Sequence, residues 1–399
     1  MTTLRDHLHS IAAEARTVDL TERVIRKATR QRAGAYISGA AAVLAVVVAA
    51  AVPVIGGRQE GDIIASKVTD TLPASGVGPL KYAYYDWCGE KWTPGVNTHL
   101  FAKECAQWNV VTRTGETYRM PEALSVYTEQ TADNYMNTNA PLVISADGGR
   151  VAYYSEKDQK IAVRDLDSGR VWLMPTPLSR AEMVARGVLL ALSPGGTRLG
   201  ISGGSGQDLV VEVETGKVSR IPEGWHVRTI GDGGDPVVVT REGKDDELGA
   251  MTEDGTVRAF PPTDDVQSVD LSQPSPDGGT VAFLAGMKGG LSASGALEES
   301  KPNDTIVVLD STTGEILHKA RLRGVPRDFQ AWRAGGWLSR TEVIVSGPFL
   351  DDSWGKGGGK GTPVLGERTY RVNVRTGQVT PLATYTYAAW GGSLELPGF

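Results

Sequence analysis

The residue types that most often announce a chemistry are scarce in this chain, whose 399 residues hold two cysteines and five histidines. Only His7 and His9 stand close together, and with no Cys or third His beside them no metal centre is expected. His99, His226 and His318 are far apart and no Gly-x-Ser-x-Gly elbow occurs, which removes common settings for nucleophilic catalysis. Positive charge is not in excess either. The formal net charge is −6 with both signs interspersed, so the basic stripe that nucleic acid demands is missing. Gly355–Thr362 looks superficially like a phosphate loop, but Lys360 is followed by Gly361 instead of Ser or Thr. The acidic runs Asp245-Asp246-Glu247 and Asp264-Asp265 lack the alternation of oxygen donors that calcium needs and read as solvated turns. No cofactor is implied.

Long apolar runs are equally rare. One apolar, charge-free stretch, within residues 35–56, has the length of a transmembrane helix, and its hydropathy rests on Ile37, Val43, Leu44, Val46, Val47, Val48, Val52, Val54 and Ile55 among many alanines. Arg23, Arg26, Lys27, Arg30 and Arg32 precede it, whereas the charges after it are mixed, which places the N-terminus on the cytoplasmic side. The expectation is a single-pass protein of the cell membrane with the lipid bilayer as a partner. Residues 1–34 would be a cytosolic amphipathic segment, 57–78 a linker, and 79–399 an extracytoplasmic domain. A cleaved signal peptide ending near Ala49–Ala51 is the rival reading, but the polar region ahead of the apolar run is long for one. Leu4, Leu8, Ile11 and Ala15 recur at helical spacing, so residues 1–33 offer a surface for a cytosolic partner or for the anionic inner leaflet. In an exported domain Cys88 and Cys105 would form a disulfide; otherwise they are two reduced thiols.

What the chain does have is glycine, 49 residues of it, with 21 prolines, the composition of many short strands joined by turns. One unit recurs: an apolar strand, a turn with Gly, then a second strand. It occurs before Gly115, Gly169, Gly216, Gly255, Gly314 and Gly377, where glycine supplies the positive φ of a tight hairpin. A second signature enters strands at Ser145-Ala146-Asp147-Gly148-Gly149, Ser193-Pro194-Gly195-Gly196 and Ser275-Pro276-Asp277-Gly278-Gly279. With a short apolar strand ahead of it, such as Pro141–Ile144 or Val188–Leu192, each unit has four strands. The S-P-D-G-G turn followed by an I-x-V-x-D-x-x-T-G hairpin resembles the TolB-type, WD-like β-propeller repeat over most of residues 140 to 385. That resemblance implies an all-β fold of about six four-stranded blades, preceded by the membrane helix. The unit near Asp235-Pro236-Val237 lacks the Ser-Pro-Asp element, and the first unit keeps only its hairpin.

In such a repeat the connections between the second and third strands of all blades leave on one face. Those after Ser155, Ser202 and Arg241 are short, while those around Cys88 to Cys105, Gly286 to Asp304 and Gly347 to Glu367 are long. The long ones belong to the first, fifth and sixth units, which adjoin once a ring closes. They carry the candidate binding residues Trp87, Trp92, Phe349, Asp351, Asp352, Trp354, Lys356 and Lys360. The chain therefore reads as a non-enzymatic module that binds a protein or envelope ligand and signals through its N-terminal segment. The alternative is an exported hydrolase or lyase using carboxylates in a central channel.

Overall fold

The computed structural model describes residues 70–85, 107–130, 135–203, 208–234, 236–241, 247–261, 271–285, 304–326, 329, 331–350, 364–386 and 394–399. The chain divides into Met1–Arg58, which lies outside the described residues, and Gln59–Phe399. The second unit is all-β and propeller-like, with 57% of the described residues in strands.

Six blades make the ring, blades 1 and 2 within one eight-stranded sheet, and a separate two-stranded hairpin, Val126–Gln130 with Tyr135–Asn139, lies between them in sequence. Blade 2 runs outward through Leu142–Ile144, Arg150–Ser155, Lys160–Asp165 and Val171–Pro177. Blade 3 is Leu189–Leu192, Arg198–Ser202, Leu209–Glu212 and Val218–Arg220. Blade 4 is His226–Ile230, Val237–Arg241, Glu247–Met251 and Val257–Ala259. Blade 5 has three strands, Thr280–Ala285, Thr305–Asp310 and Ile316–Arg321, with Ser272 bonded to Ala282 at the inner position. Blade 6 is Arg333–Ser339, Glu342–Leu350, Val364–Asn373 and Val379–Thr386. Neighbouring strands within each blade are antiparallel.

Blade 1 contains Leu80–Tyr84, Gln107–Thr112 and Thr117–Leu124, and its inner strand is the C-terminal Leu394–Glu395, paired through Ala83 and Tyr84. The two ends of the described domain are thereby stitched into one sheet. The closing strand is therefore C-terminal. A single bridge, Ala123 to Ser155, joins blade 1 to blade 2.

Apolar clusters fill the gaps between adjoining blades. Met120, Ile144 and Val151 lie between blades 1 and 2, Ile161, Leu199 and Val211 between 2 and 3, and Val210, Val227 and Val239 between 3 and 4. Val238, Phe283 and Val307 join 4 to 5, and Ile306, Val343 and Tyr370 join 5 to 6. Tyr82, Val111, Tyr385 and Leu394 close 6 onto 1, with the Tyr82 and Tyr385 rings edge to face at 5.3 Å. Burial of this kind is the main stabilising term of a propeller, because each sheet has two apolar faces and a neighbour for each. Burial also pushes the Tyr385 phenol up to about 12.

The turns follow the repeat. All six hairpin glycines, Gly115, Gly169, Gly216, Gly255, Gly314 and Gly377, have φ between 71° and 94°. In the entry turn of blade 2, the Ser145 hydroxyl donates to Asp147 at 2.6 Å and accepts from the Arg150 amide at 2.9 Å. Blade 5 repeats this with Ser275 donating to Asp277 at 2.6 Å and accepting from the Thr280 amide at 3.1 Å. The Ser275 hydroxyl holds the Asp277 carboxyl below the usual carboxylate range. These turns and the hairpins share one side of the ring, called here the turn face. The second-to-third connections and the links between blades leave from the opposite side, the mouth face.

The membrane-anchored expectation is corrected. Among the described residues no helix is long and apolar enough to cross a membrane. The one helix there, α1, is Arg180–Arg186, begun by a Ser179–Glu182 capping box between blades 2 and 3. The run at residues 35–56 owes much of its length to alanine, which contributes little to insertion, and it lies outside the described residues with the rest of 1–58. The assignment to the cell membrane with an extracytoplasmic domain falls with the helix. The Cys88–Cys105 bond gains no support either, since no disulfide is present among the described residues and both cysteines lie outside them.

Candidate functional site

The inner strands of the six blades surround a cavity of about 360 Å³. Its lining takes Glu395 from blade 1, Leu142 and Val143 from blade 2, Leu189 and Leu190 from blade 3, Arg228 from blade 4, Leu271 from blade 5, and Arg333 from blade 6. These residues stand at or near the starts of the inner strands, the ends nearest the mouth face. Towards the turn face the ring is narrowed by the chain's own last residues. The Gly398 amide donates to the Ile144 carbonyl at 3.0 Å, and the Phe399 ring sits so close to Gly335 that a Cβ there would fall 2.4 Å from it. Gln273 crosses from blade 5 to donate its Nε2 to the Leu192 carbonyl of blade 3 at 2.8 Å.

Both arginines lie on strands with an irregular ladder, but only Arg228 stands at the irregularity itself. The ladder between the first two strands of blade 4 slips between Val227 and Thr229, so Arg228 is the extra residue of a bulge. A bulge turns one side chain away from the alternation of its strand and commonly marks a functional edge. The Arg228 Nε donates to Thr240 at 2.8 Å, and among the described residues no carboxylate pairs with this guanidinium. The first strand of blade 6 slips after Ala334. Its Arg333 donates to Ser346 at 3.2 Å and to the buried Glu367 at 3.3 Å, and lies 5.0 Å over the Phe399 ring.

A second polar cluster stands at the mouth end of blades 3 and 4. Asp208, 4% exposed, accepts from the Ser202 hydroxyl, the Gly203 amide at 3.2 Å and the Val227 amide at 3.1 Å, and faces His226 Nδ1 at 3.2 Å. Ser202 also lines the cavity. The carboxylate sits between serine and histidine rather than behind the histidine, so this is not the order in which a histidine activates a serine. Asp208 instead anchors the start of the strand that carries Arg228.

Trp87, Trp92, Asp351, Asp352, Trp354, Lys356 and Lys360 lie outside the described residues, as do Cys88 and Cys105. Phe349 pairs with Gly366 in blade 6, and only its backbone is described. The strand ends that bound the three long connections, Tyr84 and Gln107, Ala285 and Thr305, Leu350 and Val364, belong to blades 1, 5 and 6. The sequence reading takes Pro141–Ile144 and Val188–Leu192 as the short apolar strands that lead their units. It missed Arg228, Arg333 and Glu395, which lie on inner strands without the repeat's signature. A bulge is invisible to an alternation pattern, and Glu395 reaches the channel only because the C-terminus closes the ring.

No family model matches the chain, and no curated protein does. Solved structures show a distant likeness. The putative TolB from Agrobacterium tumefaciens is 13% identical with a TM-score of 0.42, covering 77% of this chain and 91% of that one. For the tricorn protease the values are 12% and 0.40, with 80% of this chain but 32% of that one covered. For the Kuenenia stuttgartiensis hydrazine synthase they are 11% and 0.37, with 75% and 99% covered. At these values the likeness carries nothing about ligand or activity, and the propeller-like architecture rests on the strand order and register given above.

Proposed function

We propose that this chain is a binding module, not an enzyme, and that its recognition surface is the mouth face around the central cavity. The observation that carries the reading is the cavity itself, to which all six blades contribute and where cationic and apolar side chains converge. The strand ends that bound the connections 85–106, 286–304 and 351–363 belong to blades 1, 5 and 6 on this same face, and the sequence of two of these connections holds Trp87, Trp92 and Trp354, the residue type that protein recognition favours. A hydrolytic reading that uses channel carboxylates, as glycoside hydrolysis does, needs a pair of them at the reacting bond. Glu395 is the one acidic side chain lining the cavity among the described residues, and Glu367 is turned to Arg333. A photo-crosslinking side chain at Leu189, on the mouth, should give a discrete adduct in the cell that makes the protein, whereas the same group at Gly255, on the turn face, should give none. Adducts from Gly255 alone, from both sites, or from neither would overturn the assignment.

A further inference from the structure

We infer that the central cavity is a receptor for a carboxylate attached to an apolar group, with Arg228 as the residue that reads the carboxylate. The inference rests on the mouth face being the recognition surface and names the ligand class that surface takes.

Three independent features meet at Arg228. The bulge between Val227 and Thr229 places it outside the alternation that buries Val227 in the core between blades 3 and 4. Its Nε is committed to the buried Thr240 at 2.8 Å, which fixes the plane of the guanidinium and leaves the two terminal nitrogens side by side. That edge is the one that meets a carboxylate through two parallel hydrogen bonds. Among the described residues no carboxylate occupies it, although the other cavity arginine, Arg333, is already paired with Glu367. A fixed cation without a carboxylate partner beside the apolar walls of a cavity is the arrangement an anionic ligand completes.

The rest of the cavity defines what is attached to the anion. Leu142, Val143, Leu189, Leu190, Leu271 and Phe399 supply apolar walls, and Leu189 is 55% exposed despite lying on an inner strand. A volume of about 360 Å³ is at the small end for ligand sites. It accommodates one or two apolar side chains beyond a carboxylate, not an extended sugar or peptide chain. Glu395 on the opposite side disfavours a second negative charge. The chemistry is therefore a monocarboxylate with an apolar body, which a peptide C-terminus and a free organic acid share.

Calorimetric titration of the full chain with acetyl-Phe-Leu as free acid and as C-terminal amide tests this. The acid should bind about 10- to 100-fold more tightly than the amide, the range expected for a charge-assisted hydrogen-bonded pair. In Arg228→Gln the difference should vanish, and in Arg228→Lys, which keeps the charge but not the paired donors, it should partly return. Thr240→Val, which frees the guanidinium without removing it, should weaken the acid alone and serves if the glutamine variant does not fold. Equal binding of acid and amide, or a difference untouched at position 228, would overturn the inference. So would an absence of binding at millimolar concentration; if crosslinking from Leu189 persists in that case, the recognition face stands and only the ligand class fails. Titration with 4-phenylbutanoate separates the two sources. Affinity matching the peptide acid identifies a free organic acid, and affinity at least tenfold weaker identifies a peptide C-terminus.

Discussion

On the turn face the same few atoms recur from blade to blade, whereas on the mouth face the side chains that line the cavity follow no repeat. Ser145 with Asp147 and Ser275 with Asp277 make one closed hydrogen-bonded unit twice over, and six hairpin glycines adopt one backbone conformation. At the other side the cavity takes an arginine from blade 4, another from blade 6, a glutamate from blade 1 and leucines from blade 3. The turn face holds the ring together by repetition, and the mouth face departs from repetition wherever it has something to present. Yet the repetition is not uniform in what it costs to disturb. A Cβ on Gly377 would lie 1.9 Å from the Arg321 carbonyl oxygen of blade 5, while a Cβ on Gly216 would meet nothing within 4 Å.

That contrast gives the largest expected effect. Gly377→Ala adds a clash with a neighbouring blade's backbone to the strain of a left-handed residue, and should lower unfolding stability by about 3 kcal/mol or more. Gly216→Ala carries the strain alone, about 1–2 kcal/mol. Urea denaturation of the two variants compares them directly. Equal losses would mean that the seat of the sixth-blade hairpin on blade 5 is not rigid, and that the hairpins of the turn face act within blades only.

The mouth face yields the next effect. Asp208→Ala removes the acceptor of three donors and the partner of His226 from a buried position, which should cost about 2–4 kcal/mol. Asp277→Ala, on an exposed turn, should cost about 1 kcal/mol. Amide exchange at Val227 sharpens the comparison, because it should quicken in the first variant and not in the second. A loss below about 1 kcal/mol for Asp208→Ala would show that water replaces the carboxylate, and that the arginine-bearing strand is held by its ladder alone.

The unevenness of the two faces explains what a reader of the sequence can recover. The turn face is legible because its residues must satisfy local backbone geometry: glycine at a positive φ, and serine and aspartate closing a turn on themselves. The Ser179–Glu182 box that starts α1 is legible for the same reason, although it is easily overlooked among strands. The cavity is not, because Arg228, Arg333 and Glu395 come from segments more than a hundred residues apart at their extremes, and the bulge at Arg228 has no mark in the alternation around it. The long connections were legible as insertions, and the strand order places their ends in blades 1, 5 and 6. The membrane reading rested on residues 35–56, which lie outside the described residues, and the absence of a spanning helix among the described ones points against it.

Blade 3 supplies the smallest and most diagnostic effect, since there the turn face breaks its own rule. Its entry turn has Gly195 where blades 2 and 5 have aspartate, and the missing carboxylate arrives from blade 4. Asp232 accepts from the Ser193 hydroxyl at 2.7 Å, the Gly195 amide at 2.9 Å and the Thr197 hydroxyl at 2.7 Å. One carboxylate therefore both closes a turn and ties two blades. Asp232→Ala should cost about 1–2 kcal/mol. Gly195→Asp alone should also destabilise, by about 1 kcal/mol, because its Cβ would sit 3.2 Å from the Asp232 carboxylate and a like charge would follow. Together they should approach the stability of the unaltered chain, a coupling of about 2 kcal/mol in a double-mutant cycle read by urea denaturation. That outcome would mean the turn needs a carboxylate and is indifferent to its source. If instead the two losses simply add, the worth of Asp232 lies in holding blade 4 against blade 3, the blade boundary at which Arg228 is positioned.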